Sequence, residues 1–240
     1  MRIAIPSYKR QSLIIKKTIP LLLNNGFTFD DIDIFVADKD EKTNYQNMMP
    51  DANIIQTDIF QLHLRLNYIL NEYYDEGTEV VLIEDDIRDV CKGKESIDLQ
   101  SFFKYGFDIL KKENLYIFGV SPTDSLMYHK EGYSKDFRFI LGVLYGIIVR
   151  KDASLNVNNT YKQDYERSIL YYMKDAGLIR FNDVYCKTTY KTIVGGLGGI
   201  KNTNRIDNEI QCVKYMLDKY PEYCYQHTSK VNEIKLKRLS

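Results

Sequence analysis

Short apolar runs alternate with segments of helical spacing through the first half of the chain. Arg2-Ile-Ala-Ile-Pro6 is apolar between a cation and a proline, which predicts a buried strand. Thr18-Ile-Pro-Leu-Leu-Leu23 followed by Asn24-Asn25-Gly26 predicts a helix, with proline in its first turn and Asn-Gly at its end. Ile32–Val36 and Asn53–Thr57 read as the second and third strands, and Leu62–Tyr74 has helical spacing ahead of Gly77. Glu79–Ile83 is nearly all apolar, as befits the middle of a parallel sheet. Leu99–Leu110 reads as a helix and Leu115–Val120 as a strand. Strands alternating with helices from the first residue predict an α/β fold, with a Rossmann-like, mostly parallel central sheet flanked by helices.

The second half is less regular. Leu144–Val149 predicts a strand, and Asp164–Ala176 a helix stopped by Gly177. Gly195-Gly-Leu-Gly-Gly199 is a loop by composition, and Ile206–Tyr220 a helix bounded by Pro221. Neither a repeat nor a low-complexity linker interrupts the chain, so one domain over residues 1–240 is expected. In that arrangement residues 1–120 bind one ligand and 121–240 shape a second site.

Composition narrows the class. With 240 residues, 44% hydrophobic and 28% charged, the chain is of ordinary soluble globular type. It is long enough to bury roughly 70–75% of its unfolded surface without disulfides. Apolar runs stay well short of a membrane span and no signal peptide is evident, so a cytoplasmic protein is expected. Cys91, Cys186, Cys212 and Cys224 include no C-x-x-C pair, which predicts reduced thiols.

The net charge of zero conceals a segregation. Residues 1–29 carry five basic and no acidic side chains, and residues 186–240 carry ten against five. Residues 30–100 carry six basic and 18 acidic ones. Chain ends of this kind supply basic surface, and neutrality overall does not exclude a nucleic-acid partner. A solvated acidic face is the plainer explanation of the middle block.

That block holds the strongest chemical signal. Val80-Val-Leu-Ile-Glu84-Asp85-Asp86 places three carboxylates directly after a buried strand, where ligands of open α/β sheets bind. Mutual repulsion there amounts to about 4 kcal/mol for a pair 4 Å apart at an effective dielectric of 20. A hard divalent cation relieves it. Alternation would set Glu84 and Asp86 on one side and Asp85 on the other; an acidic turn that caps a helix is the plainer alternative. The first strand runs into Pro6-Ser7-Tyr8-Lys9-Arg10, where Tyr8 can stack on a base and the cations can meet phosphate. Gly195–Gly199 offers backbone that can approach a phosphate closely, through Gly196 and Gly198, with Lys201 and Arg205 as candidate phosphate partners.

Taken together, Ile5-Pro6-Ser7-Tyr8-Lys9-Arg10 and the strand into Glu84-Asp85-Asp86 about 75 residues later resemble the nucleotide-sugar glycosyltransferases of the GT-A fold. The later blocks narrow the likeness: Asn114–Pro122, Phe139–Ile147, Gln163-Asp164-Tyr-Glu166, Gly177–Asn182 and Gly195–Gly199, in that order. As an ordered set they resemble the TET/JBP-associated glycosyltransferases, which are similar to the base J glucosyltransferase and common in phages. The family usually has Glu-Asp where this chain has Gln163-Asp164.

The resemblance implies a uridine diphosphate sugar as donor, held by residues 1–120, with Pro6, Ser7, Tyr8, Arg10 and Asp85 around it. It implies Mn²⁺ or Mg²⁺ on Glu84 and Asp86, with a C-terminal histidine, His227, completing the shell. The acceptor would be a hydroxymethylated pyrimidine in DNA, the sugar carbon would invert, and no membrane or obligate protein partner is implied. A phage enzyme of this kind would work in the host cytoplasm. An inverting transfer needs one carboxylate within reach of the acceptor hydroxyl, and Asp164, at a helix start that favours its ionised form, is the candidate base. Two other functions fit the same residues: a transferase of this fold acting on a surface glycan or protein, and a non-catalytic nucleic-acid-binding module on a degenerate transferase fold.

Overall fold

A computed structural model describes residues 1–188 and 205–239. The first half runs β1 (Arg2–Pro6), α1 (Gln11–Lys16), α2 (Thr18–Asn24), β2 (Ile32–Val36), α3 (Lys39–Met48), β3 (Asn53–Gln56), α4 (Leu62–Tyr68) and β4 (Glu79–Ile83). It continues through β5 (Ile87–Lys92), β6 (Glu95–Ser96), α5 (Leu99–Glu113) and β7 (Ile117–Ser121). The second half contributes β8 (Tyr133–Ser134), β9 (Leu144–Ile148), α6 (Gln163–Asp175), β10 (Ile179–Thr188), α7 (Arg205–Lys219), β11 (Cys224–Gln226) and β12 (Ile234–Leu236).

One central sheet orders its strands β3-β2-β1-β4-β9-β7-β10-β5-β6, with β8 on β10. The α/β reading is borne out. From β3 to β4 all neighbours are parallel, as βαβ units require. Beyond β4 the sheet is mixed: β9 is antiparallel to both β4 and β7, and β10 is parallel to β7. Successive strand residues alternate between two apolar layers. Ile3, Ile5, Val81 and Ile83 face one layer with Leu22, Phe103 and Phe107, and Ala4, Val80 and Leu82 face the other with Leu66 and Tyr171. Helices therefore cover both faces. A third cluster gathers Ile169 of α6 with Val213 and Met216 of α7 and Ile234 of β12.

Two glycines in the resemblance blocks leave room for large neighbours. A Cβ on Gly146 would lie 2.1 Å from Phe118 Cε1, and Gly119 would meet Ile140 at 2.5 Å. Gly106 on α5 also lies against Phe118, at 2.8 Å. Small residues on β9 and α5 thus let a large ring fill the space between helix and sheet. Gly26, with φ of +82°, ends α2 as the Asn-Asn-Gly pattern predicts.

Three of the elements that the sequence pattern left unread lie around the acidic turn and the first helices. β5 follows the acidic turn as a strand, because its partner is β10, some 95 residues away in sequence, with Cys91 opposite Tyr185. α3 buries only Glu41 and Tyr45, so it has no apolar stripe; Asp38 caps it by accepting the Glu41 N–H at 2.9 Å. α1 is six residues long and buries Ile14 alone. Among the described residues, no helix is long and apolar enough to cross a membrane, and the four cysteines are free.

Candidate active site

β1 and β4 are parallel neighbours, with Ile3 opposite Val81 and Ala4 opposite Leu82. The turns that follow them therefore leave the same edge of the sheet side by side. Ser7, 2% exposed, donates its hydroxyl to Asp85 Oδ2 at 2.6 Å and contacts the Tyr45 hydroxyl at 2.6 Å. Arg10 Nη1 sits 2.9 Å from Asp85 Oδ1 and 4.0 Å from Asp86 Oδ2. Asp85 is thus the tie between the two turns, paired with Ser7 and Arg10.

Supports for this tie come from residues that carry no motif signal. Arg65 on α4, a buried guanidinium, donates Nη1 to the Ser7 carbonyl at 2.9 Å and Nη2 to the Ile59 carbonyl at 2.7 Å. Thr18 Oγ1 donates to the Glu84 carbonyl at 2.8 Å and accepts the Ile87 N–H at 3.0 Å, pinning both ends of the acidic turn. Lys9 adopts φ of +56°, and its N–H reaches Glu41 Oε2 at 2.7 Å. A strained residue there is held by a side chain from α3. Tyr8 meets Phe60 edge-on at 6.4 Å, and Phe60 is 58% exposed, so an aromatic corner stands open beside the turn. These partners were not legible in sequence because each lies one helix or loop away from the strand that it serves.

The carboxylates of the turn strain against one another. Burial, then Asp86 and Asp85, push Glu84 up to about 8, while Arg10 opposes the rise. Asp86 is raised by burial and by Asp85, against Arg10 and Lys17. Asp85 is raised by burial, with Arg10 and Ser7 opposing. Asp86 Oδ1 is buried and has no hydrogen-bond partner. An orphaned carboxylate oxygen beside a second carboxylate that its neighbours hold protonated is the chemistry that a hard divalent cation fits. Such a cation commonly takes one or two protein carboxylates and completes its shell with phosphate and water. Glu84 and the unpartnered oxygen of Asp86 could take that role, whereas Asp85 is committed to Ser7 and Arg10.

Asp164 lies in the first turn of α6. Its Oδ1 accepts the Tyr165 N–H at 3.0 Å, and burial raises it against the pull of Arg167. Asp164 is also among the charges that raise Glu84, so the two carboxylates lie within electrostatic reach. Tyr145 of β9, opposite Leu82 of β4, feels Arg167, Glu84 and Asp164, and its buried hydroxyl has no partner. The Arg167 guanidinium lies 4.4 Å over the Tyr145 ring. Gly142 fits because a Cβ there would lie 3.2 Å from Gln163 Nε2 and 3.5 Å from Asp164 Cβ.

The remaining sequence candidates part company here. His227 sits on the β11–β12 hairpin, where its N–H reaches the Glu233 carbonyl at 3.0 Å and its Nδ1 accepts from the Ser229 N–H at 3.2 Å. Among the described residues no three His, Cys, Asp or Glu side chains gather in a metal-holding group, so the expected set of Glu84, Asp86 and His227 is not assembled. The hairpin that carries His227 packs on α7 through Cys224 and Ile234. Arg205 pairs with Glu209 at 2.8 Å, one turn along α7. Gly196, Gly198 and Lys201 lie outside the described residues. Thr188, where β10 ends, pairs with Ile87 directly after the acidic turn.

Comparison with known proteins yields likeness of fold without likeness of sequence. No protein-family model and no curated protein sequence matches the chain. Among solved structures, Staphylococcus aureus TarS residues 1–349 in complex with UDP-GlcNAc is similar with a TM-score of 0.57 at 11% identity; the match covers 91% of this chain and 67% of that one. The mannosyltransferase PcManGT from Pyrobaculum calidifontis, in complex with GDP-Man and Mn²⁺, is similar with a TM-score of 0.52 at 13% identity, over 92% and 63%. Against the S. aureus TarS structure that is not limited to residues 1–349, the TM-score is 0.53 and the chain spans 40% of its length. The chain therefore shares the α/β fold of these glycosyltransferase structures and spans about two thirds or less of each.

Proposed function

We propose that this chain is a nucleotide-sugar glycosyltransferase, and that the donor diphosphate lies over Glu84 and Asp86. The observation that carries the reading is the convergence of two kinds of carboxylate. An acidic turn ends β4 with one oxygen unpartnered, and Asp164, at the start of α6, is close enough to raise Glu84. The solved structures of similar fold hold UDP-GlcNAc in one case and GDP-Man with Mn²⁺ in another, which supports the donor class.

A divalent cation on Glu84 and Asp86 would offset the negative charge that grows on the leaving nucleoside diphosphate. Ser7, Arg10 and Asp85 hold the two turns in register, and so hold the donor pocket. Tyr8 and Phe60 offer the face and edge of an aromatic corner to the nucleobase. Asp164 takes the proton from the acceptor hydroxyl as the oxygen attacks the anomeric carbon. The carbon–oxygen bond to the diphosphate breaks on the opposite face, its electron pair leaves with the diphosphate, and the configuration inverts. Burial raises the basicity of Asp164 against the opposing pull of Arg167.

The acceptor in this reading is a hydroxymethylated pyrimidine in DNA and the donor a uridine diphosphate sugar. Support comes from the ordered sequence blocks, and in particular from Gly142, which packs against Asp164. The test combines purified protein, Mn²⁺, a panel of labelled nucleotide sugars and hydroxymethylated duplex. Label is expected in the DNA and lost with Asp164→Asn. Transfer to a glycan instead would move the acceptor, and absence of both transfer and donor hydrolysis would end the transferase reading.

A further inference from the structure

A second, smaller site lies behind α6, away from the acidic turn. The loop between β9 and α6 crosses α4 and leaves a cavity of about 10 Å³ for the centre of a water-sized sphere. That is room for one atom-sized occupant. Arg150, Arg167, Asn67 and Asn71 line it together with apolar side chains, and no carboxylate does.

The two arginines are incompletely satisfied. Arg167, 2% exposed, gives Nη2 to Gln163 and stacks on Tyr145, but its Nη1 is buried without an acceptor. Arg150 pairs with Asp175 at 2.7 Å and stacks on Tyr116, yet its Nε is likewise buried and unpartnered. Asp164 acts on Arg167 through space without a direct ion pair. Asn67 is occupied by both main-chain groups of Val157, at 2.9 and 3.0 Å, and Asn71 by Asn156. Two guanidinium N–H donors, and one guanidinium without a direct ion pair, therefore line a small cavity. A buried donor left empty-handed is costly, and a buried cation without a counter-charge more so. Water would satisfy the donors and leave the charge; a monovalent anion satisfies both.

We propose that this cavity is a binding site for a single chloride-sized anion, held between Arg150 Nε and Arg167 Nη1. The bound anion fixes Arg167, whose other nitrogen holds Gln163 at the start of α6. The site rests on neither the donor nor the acceptor reading, although Arg167 also acts on Asp164.

Crystals of the full chain grown or soaked in sodium bromide would test this by anomalous diffraction at the bromine edge. A peak between the two guanidinium groups is expected. In solution, the melting temperature in millimolar-range chloride or bromide is expected to exceed that in gluconate at matched ionic strength by about 2–4 °C. Arg150→Lys, which keeps the charge and removes the Nε–H, should reduce that difference, and Arg167→Gln should abolish it. Light-atom density with no bromine signal would overturn the proposal. So would a halide effect seen only at molar salt, or one unchanged in both variants.

Discussion

Glu84 and Asp86 make opposite demands on the folded chain: the fold crowds them together, and water would keep them apart. The ordinary Glu84 carboxyl releases its proton near 4.5, whereas in the folded protein it holds on to about 8. Between those values the folded state binds a proton that the unfolded chain has lost. Metal-free protein should therefore be most stable below about pH 4.5, as far as this group is concerned, and lose that contribution as the pH rises through 8. Thermal unfolding in chelator across this range should slope downward, Glu84→Gln should flatten the slope, and Mn²⁺ at pH 8 should restore the lost stability. Asp164 supports a separate expectation. Replacing it with Asn keeps the shape and removes the base, so kcat should fall by roughly 10²–10⁴ while the KM for donor stays within about twofold. A drop in donor affinity of the same size would mean that Asp164 binds rather than catalyses.

Between elements, single side chains do the joining. Thr18 on α2 holds the carbonyl of Glu84 and the N–H of Ile87, so Thr18→Val leaves a buried donor and acceptor unmatched. A loss of about 1–3 kcal/mol in urea unfolding is expected, along with weaker Mn²⁺ binding. Gly146 lies under Phe118 with no room for a methyl group, since the added carbon would stand 2.1 Å from the ring. Gly146→Ala should cost about 1–3 kcal/mol or more through overpacking, and Phe118→Leu should relieve part of it. Glu166, fully buried on α6, accepts the Asn158 and Asn159 N–H groups at 2.7 and 2.8 Å and the hydroxyls of Tyr215 and Tyr220, both at 2.8 Å. It fastens the C-terminal cluster to the helix that carries Asp164. Sequence inspection placed Glu166 on that first turn, but its partners on α7 are about 50 residues further along the chain.

Over the whole molecule, ligand binding should appear as stability. A uridine diphosphate–Mn²⁺ pair at 100 times its dissociation constant adds about 2.7 kcal/mol, or roughly 5–11 °C in a chain of this length. Asp86→Asn should remove the part that depends on Mn²⁺. Charge is also redistributed by the fold. Arg2 and Arg10, from the wholly basic opening segment, are paired with Asp33 and Asp85 and so do not add to an exposed cationic surface. Of the first four strands, β1 and β4 were legible because each buries both faces and so reads as an apolar run bounded by turn residues, β2 departs from such a run only at the buried Asp33, and β3, at the sheet edge, keeps just Ile54 and Ile55 as its apolar signal. The acidic turn was legible for a related reason: three anions after such a run need an explanation wherever the strand goes. β5 was not, because most of its pairing is with the distant β10, and neither was the commitment of Asp85 to Ser7 and Arg10. Local pattern settles which faces must be buried and where charge collects, since burial and repulsion act along the chain. Which carboxylate is left bare for a ligand depends on distant neighbours meeting across the sheet edge, and only the assembled fold supplies those neighbours.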